Sequence, residues 1–212
     1  MAFTAVVARD GNNASQSMAA WQDLVNSANY PIVSLDTAQS TYRAAASFTP
    51  QATAAVTLFS IQGSATRTIR IKRIMLGGVA TALSDTLFCM RKTSALGAGG
   101  TTVSPTIAEL DSSSAAATAL VSHYTATLKA AGTDIDGPLS FWRQFQATVT
   151  TPATAYTHPH SAMVFPEGGS PVGQSIVLRG TGQYLEVQNA NAGNLAAGSV
   201  LDYFIEWVED AS

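Results

Sequence analysis

The chain has 212 residues, of which 46% are hydrophobic and only 12% are charged, and its formal net charge is -3. A typical soluble domain carries roughly 25% charged residues, so this surface must be built largely from small and hydroxyl side chains. The weak negative charge argues against direct nucleic-acid binding, which requires clustered lysine and arginine. No apolar run approaches the roughly twenty residues of a membrane-spanning helix, and the single cysteine excludes an intrachain disulfide.

The first segment, residues 1–45, is predicted to be an N-terminal arm. Met18, Trp21, Leu24 and Val25 are spaced as one face of a helix. We therefore expect an arm with at most one short helix, which anchors the chain to the body or to a neighbouring subunit through these four side chains. Trp21 is the strongest candidate, because buried aromatic residues often carry interface energy.

The remainder, residues 46–212, is predicted to be a single all-β domain, a jelly-roll-like antiparallel β-sandwich. Short apolar runs alternate with turn residues along this segment, which is typical of sandwiches and barrels. The predicted strands span 56–62, 67–76, 86–92, 119–127, 141–150, 161–165, 174–179, 183–188 and 200–209.

Two of these strands depart from regular alternation of apolar and polar residues, and each departure predicts a structural feature. In the second, the apolar positions change parity between Ile71 and Ile74, so a β-bulge is expected at Lys72 and Arg73. In the fifth, Arg143 shares a face with apolar residues and must find a partner or reach solvent. We therefore expect the fifth strand to lie near the rim of its sheet.

The closing strand alternates with a period of two, which indicates a half-buried strand. Its apolar positions are Leu201, Tyr203, Ile205 and Trp207, and its acidic positions are Asp202, Glu206 and Asp210. We expect Trp207 in the core. The acidic face is expected to meet solvent or a basic patch on a neighbouring subunit.

The residues that could carry chemistry are few and isolated. Cys89 lies in an apolar run, which predicts a buried structural thiol. Asp134 and Asp136 precede a glycine as in a calcium loop, but the later ligands are missing. His158 and His160 could ligate a metal only with further ligands, which a symmetry axis could supply. The sequence therefore predicts a non-enzymatic protein with no catalytic residue and no cofactor, and leaves a metal site at a symmetry axis open.

Several strand-and-turn phrases resemble those of small virion structural proteins of tailed bacteriophages. They are residues 58–61, 63–71, 171–180 and the closing strand through Glu206-Trp207, and the resemblance spans about residues 40–209. It implies a jelly-roll-like sandwich on a phage particle, in a head, neck or tail position.

Among these positions, the leading hypothesis is a capsid decoration or cement protein, assembled in the host cytoplasm into the virion. Its expected partners are the major capsid protein or other virion proteins and further copies of itself, with a trimer favoured, and neither nucleic acid nor membrane. The alternative is a tail- or fibre-associated recognition module that binds host surface glycans through its loops. Trp142, Tyr156 and Tyr184 are the candidates for stacking on sugar rings.

Overall fold

The computed structural model describes residues 4–9, 15–23, 28–31, 40–50, 56–79, 82, 84–146, 163–165, 175–190, 195 and 197–211, and the structural statements below concern these residues. The chain divides into two compact units. The first comprises residues 1–39 and the second comprises residues 40–210. The described part contains strands and no helix, which confirms the predicted all-β class.

The first unit is a three-stranded antiparallel sheet in the order β1-β2-β3. Its strands are β1 (Thr4–Arg9), β2 (Ser15–Asp23) and β3 (Ala28–Pro31). The predicted helical face is wrong, because Met18 and Trp21 lie on β2, where they pair with Val6 and Tyr30. A strand alternates with a period of two, so the three-residue spacing of Met18 and Trp21 no longer marks one face. Leu24 and Val25 lie outside the described residues.

Twelve strands are seen in the described residues of the second unit. They are β4 (Ser40–Phe48), β5 (Val56–Gln62), β6 (Arg67–Val79), β7 (Ser84–Ala95), β8 (Gly99–Val103), β9 (Ile107–Glu109), β10 (Leu120–Lys129), β11 (Thr133–Gln146), β12 (Met163–Phe165), β13 (Ile176–Arg179), β14 (Tyr184–Asn189) and β15 (Val200–Ala211).

These strands form the two antiparallel sheets of a sandwich. The first sheet has the order β11-β7-β14-β5-β10-β8, and the second has the order β12-β6-β15-β4-β9, with β13 also paired to β6. Neighbouring strands come from distant parts of the chain, since β4 pairs with β15 and β5 pairs with both β10 and β14. The fold therefore depends on long-range pairing, which slows folding relative to local contacts.

The core lies between the two sheets, and aromatic side chains from one sheet contact those from the other. Phe59 of β5 stacks on Tyr203 of β15 with ring centroids 4.4 Å apart, and Phe48 of β4 lies 4.7 Å from the ring of His123 of β10. Trp207 is fully buried, as predicted. The largest side chains that are fully buried are Trp207, Phe59, Phe88, Leu58, Ile61, Ile69, Ile71, Ile74, Leu76, Met90, Leu178 and Leu185.

The change of apolar parity on β6 and the edge position of the strand that carries Arg143 are both seen in the described residues. On β6, Ile71 and Ile74 are both buried, whereas the intervening Lys72 and Arg73 are both exposed. Two consecutive exposed residues restore the apolar face to the core after the change of parity. The strand that carries Arg143 is β11, which is the edge strand of the first sheet in the described fold.

Candidate functional site

The most unusual group in the sandwich is a fully buried carboxylate, Glu186, on the central strand β14. Its Oε1 accepts a hydrogen bond from Thr93 Oγ1 at 2.7 Å. Its Oε2 accepts from Gln188 Nε2 at 3.0 Å, from the Gly132 backbone N–H at 3.2 Å, and from Thr57 Oγ1. All four donors are neutral groups. A buried carboxylate requires such donors because burial removes its water shell.

The four donors come from four separate segments of the chain, so Glu186 joins them. Thr57 lies on β5, Thr93 on β7 and Gln188 on β14 itself. Gly132 belongs to the connection between β10 and β11, which contacts Thr57, Ala95 and Glu186 of the first sheet. Residues 130–132 of this connection are called the strap below.

The strap fits so closely that glycine is required at two positions. A Cβ at Gly132 would overlap Glu186 Oε1 and the Ala95 carbonyl oxygen, and a Cβ at Gly97 would overlap the Ala130 carbonyl oxygen. The Ala130 N–H also donates to the Ala98 carbonyl oxygen at 2.9 Å. The strap is therefore held between the β7–β8 connection and the Glu186 carboxylate.

Next to this cluster lies the single cysteine of the chain. Cys89 Sγ is 3.7 Å from Gln188 Oε1 and accepts from Arg91 Nε at 3.3 Å, while Arg91 forms an ion pair with Asp134 of β11. Burial raises the pKa of the Cys89 thiol above its ordinary value, and the Arg91 hydrogen bond opposes that rise without cancelling it. The thiol is thus protonated at neutral pH and is a poor nucleophile, as the predicted structural role requires.

A second buried carboxylate, Glu209 of β15, binds the segment before β10. Its oxygens accept from the backbone N–H groups of Thr118 and Ala119 at 2.9–3.0 Å, from Thr118 Oγ1 at 2.6 Å, and from Trp207 Nε1 at 3.0 Å. Since β10 and β15 belong to different sheets, Glu209 links the two sheets at one end of the sandwich.

A buried histidine forms a third polar feature inside the apolar core. His123 Nδ1 lies 3.2 Å from the Tyr203 hydroxyl, and both rings pack against Phe48. Burial lowers the pKa of His123 below its ordinary value of 6.5 and raises that of the Tyr203 phenol. Both groups are therefore uncharged at neutral pH, as an apolar environment favours.

The acidic face of the closing strand differs in detail from its prediction. Asp202 is exposed, but Glu206 and Asp210 pair with Arg43 of β4 and Arg70 of β6 within the same chain. The Arg43 guanidinium also lies 5.6 Å from the centroid of the Phe204 ring. The acidic face was expected to meet solvent or a basic patch on a neighbouring subunit. The basic partners of Glu206 and Asp210 instead come from strands β4 and β6 of the same chain.

Of the other residues that the sequence singled out, few are brought together. Trp142 lies on β11 and Tyr184 on β14, where the Tyr184 hydroxyl accepts from Gln62 Nε2 at 2.9 Å. Asp134 is the ion-pair partner of Arg91 rather than part of a calcium loop. Tyr156, His158 and His160 fall outside the described residues.

Two further observations limit the chemistry of the described residues. Among them, no group of three or more histidine, cysteine, aspartate or glutamate side chains is placed to hold a metal ion. Within the same part of the chain, no helix is long and apolar enough to cross a membrane.

Comparison with known proteins gives no relative for this fold and these clusters. The chain matches no protein-family model, no curated protein and no solved structure.

Sequence reasoning did not find Glu186 or Glu209 as structural centres. The available signal was the position of each acid inside an apolar strand, since Glu186 stands between Leu185 and Val187, and Glu209 follows Trp207-Val208. An acid at such a position must be paired or hydrogen-bonded, because charged residues are almost never fully buried alone.

Proposed function

We propose that this chain is a non-enzymatic structural subunit of a phage virion, and that it decorates and stabilises the head shell through its N-terminal unit and through contacts between copies. The observation that carries the proposal is the division into a small three-stranded unit, residues 1–39, and a large sandwich that contains its own core. This division suits a subunit in which one unit forms the body and the other attaches it to the particle.

The polar groups inside the sandwich support a structural role. Glu186 and Glu209 each bind donors from distant segments of the chain, and His123 is held uncharged by burial. Each buried group thereby joins strands or connections of the sandwich. The arrangement favours a rigid body, as a shell component under internal pressure requires.

The composition supports assembly. Charged residues make up only 12% of the chain, and a surface poor in charge keeps free monomers apart less effectively. A lattice of neighbours stabilises the folded subunit by mass action. The resemblance to small virion proteins of tailed phages, stated above from residues 40–209, is in accord with this reading.

The test is binding to particles. The full-length protein is added to purified particles that lack it, and co-sedimentation is measured for wild type, Trp21→Ala and Leu120→Ala. Leu120 is 61% exposed on β10 of the sandwich, so its variant is the matched control for loss of an apolar side chain. We expect Trp21→Ala to weaken binding and Leu120→Ala to retain it.

Two results would overturn the proposal. Equal binding by wild type and Trp21→Ala, with loss only in Leu120→Ala, would show that the N-terminal unit is not the attachment. Binding to host surface glycans on an array without any binding to heads would favour the recognition module instead.

A further inference from the structure

We propose that the strap, residues 130–132, is a cover that opens locally while the sandwich stays folded, and that the Glu186 carboxylate is the latch that holds it closed.

The strap is held by polar contacts and has little apolar side chain to bury. Its residues are Ala130, Ala131 and Gly132, and the first two are exposed. Closure depends on a bridge between Ala130 and Val56, on the Ala130 N–H bond to Ala98, and on the Gly132 N–H bond to Glu186. Segments with few buried apolar contacts open at a lower free energy than the core.

Side-chain contacts hold the chain on both sides of the strap. On one side, Lys129 Nζ lies 5.0 Å from the centroid of the Tyr124 ring, and the Tyr124 hydroxyl is hydrogen-bonded to Ser60 at 2.7 Å. On the other side, Asp134 forms an ion pair with Arg91. Opening is thereby confined to the residues between Lys129 and Asp134.

Beneath the strap lies a polar surface rather than an apolar core. Thr57, Thr93 and Glu186 are fully or almost fully buried, although their side chains would be well solvated in water. The Thr57 hydroxyl, which donates to Glu186, also lies 3.3 Å from the Ala130 carbonyl oxygen. Opening therefore exposes groups that water can hydrate, which lowers its cost relative to exposing apolar side chains.

Glu186 holds the strap through its carboxylate oxygens, which accept hydrogen bonds. The test variants are therefore chosen by whether they keep such an acceptor at position 186. Leucine at position 186 removes both acceptors, so the Gly132 N–H loses its partner inside the sheet. Glutamine keeps one carbonyl oxygen that can accept from Gly132 while its amide donates to the Thr93 hydroxyl. Glu186→Leu is therefore expected to release the strap, and Glu186→Gln to retain it. Glu209→Leu removes the other buried carboxylate and is the matched control.

The experiment is hydrogen exchange of the full-length protein, read by mass spectrometry on peptides that cover residues 130–133 and, separately, β14. In wild type we expect the strap amides to exchange at a rate that low concentrations of urea leave unchanged, while β14 exchanges only through urea-dependent unfolding. Glu186→Leu should accelerate hydrogen exchange of the strap amides by about tenfold to a hundredfold, which is the change expected when a hydrogen bond to a charged acceptor is lost. Glu186→Gln should stay near wild type, and Glu209→Leu should leave the urea-independent strap rate unchanged.

Several outcomes would overturn the proposal. One is that wild-type strap amides exchange with the same urea dependence as β14, because opening would then be global. Another is equal strap rates in wild type and Glu186→Leu. If Glu186→Leu does not fold, Gly132→Ala gives the same test from the strap side, and an unchanged strap rate in that variant would also reject the latch.

Discussion

Removal of the Glu209 carboxylate should destabilise the sandwich far more than removal of Glu206, three residues earlier on the same strand. Glu209 is 4% exposed and accepts four donor groups, of which Ala119 N–H and Trp207 Nε1 belong to fully buried residues. In Glu209→Ala these two donors lose their acceptor. Each buried donor left unpaired costs about 1–3 kcal/mol, so the free energy of unfolding should fall by about 4 kcal/mol.

Glu206 provides the matched control. It pairs with Arg43, whose side chain is 47% exposed, and exposed ion pairs contribute about 0–1 kcal/mol. Glu206→Ala should therefore lower the free energy of unfolding by less than about 1 kcal/mol. Both variants remove a glutamate side chain from β15, so any general effect of the substitution on the strand is shared.

The assay is equilibrium unfolding in urea, followed by tryptophan fluorescence and far-ultraviolet circular dichroism, with the free energy extrapolated to water. Coincident transitions by the two probes establish that unfolding is two-state. Equal destabilisation by Glu206→Ala and Glu209→Ala would show that Glu209 contributes no more to stability than a surface charge.

Three further predictions follow from named contacts. The folded-state pKa of His123 lies below 6.5, so as the pH falls a proton binds the unfolded chain first, and the contribution of neutral His123 to stability, fully present above pH 6.5, is lost. His123→Asn should therefore flatten the dependence of the urea midpoint on pH between about pH 7 and 5. An unchanged slope in this variant would assign the loss of stability to other groups. Gly132→Ala should lower the free energy of unfolding by about 1–3 kcal/mol, because its Cβ would overlap Glu186 and Ala95. Gly182 has open space around it, so Gly182→Ala should be neutral or slightly stabilising in the same assay. Equal effects of the two substitutions would contradict the close fit at Gly132. A double-mutant cycle with Ser60→Ala and Tyr124→Phe should give a coupling of about 1 kcal/mol for their buried 2.7 Å hydrogen bond, and additive effects would show that the bond contributes nothing.

The sandwich strands were predictable where apolar residues mark them. The run at 56–62 coincides with β5. In the closing run, the predicted apolar positions from Leu201 to Trp207 are buried, and the positions between them are exposed or partly exposed. The parity change on β6 was also readable, because a period of two leaves no other way to face both halves toward one core.

Strands without an apolar signature were missed. β4 buries Tyr42, Ala44 and Phe48 among small and polar neighbours, and alanine is a weak indicator of a strand. β2 was read as a helix because Met18 and Trp21 fit a spacing of three to four, while its pairing with β1 and β3 depends on register, which a single segment does not encode.

The buried polar clusters could not be assembled from the sequence. Thr57, Thr93 and Glu186 are separated by long stretches of chain and meet only because β5, β7 and β14 are neighbours in one sheet. Strand order is decided by the packing of the whole core, so the partners of an isolated acid are unknown until that order is known.

The proposal that the chain is a virion component attached to the head by its N-terminal unit can be tested by locating the protein in the particle. Cryo-electron microscopy of particles with and without the protein should show added density on the outer head surface at lattice positions, with residues 1–39 in contact with the shell. Density confined to the tail tip, or identical particles with and without the protein, would contradict the claim.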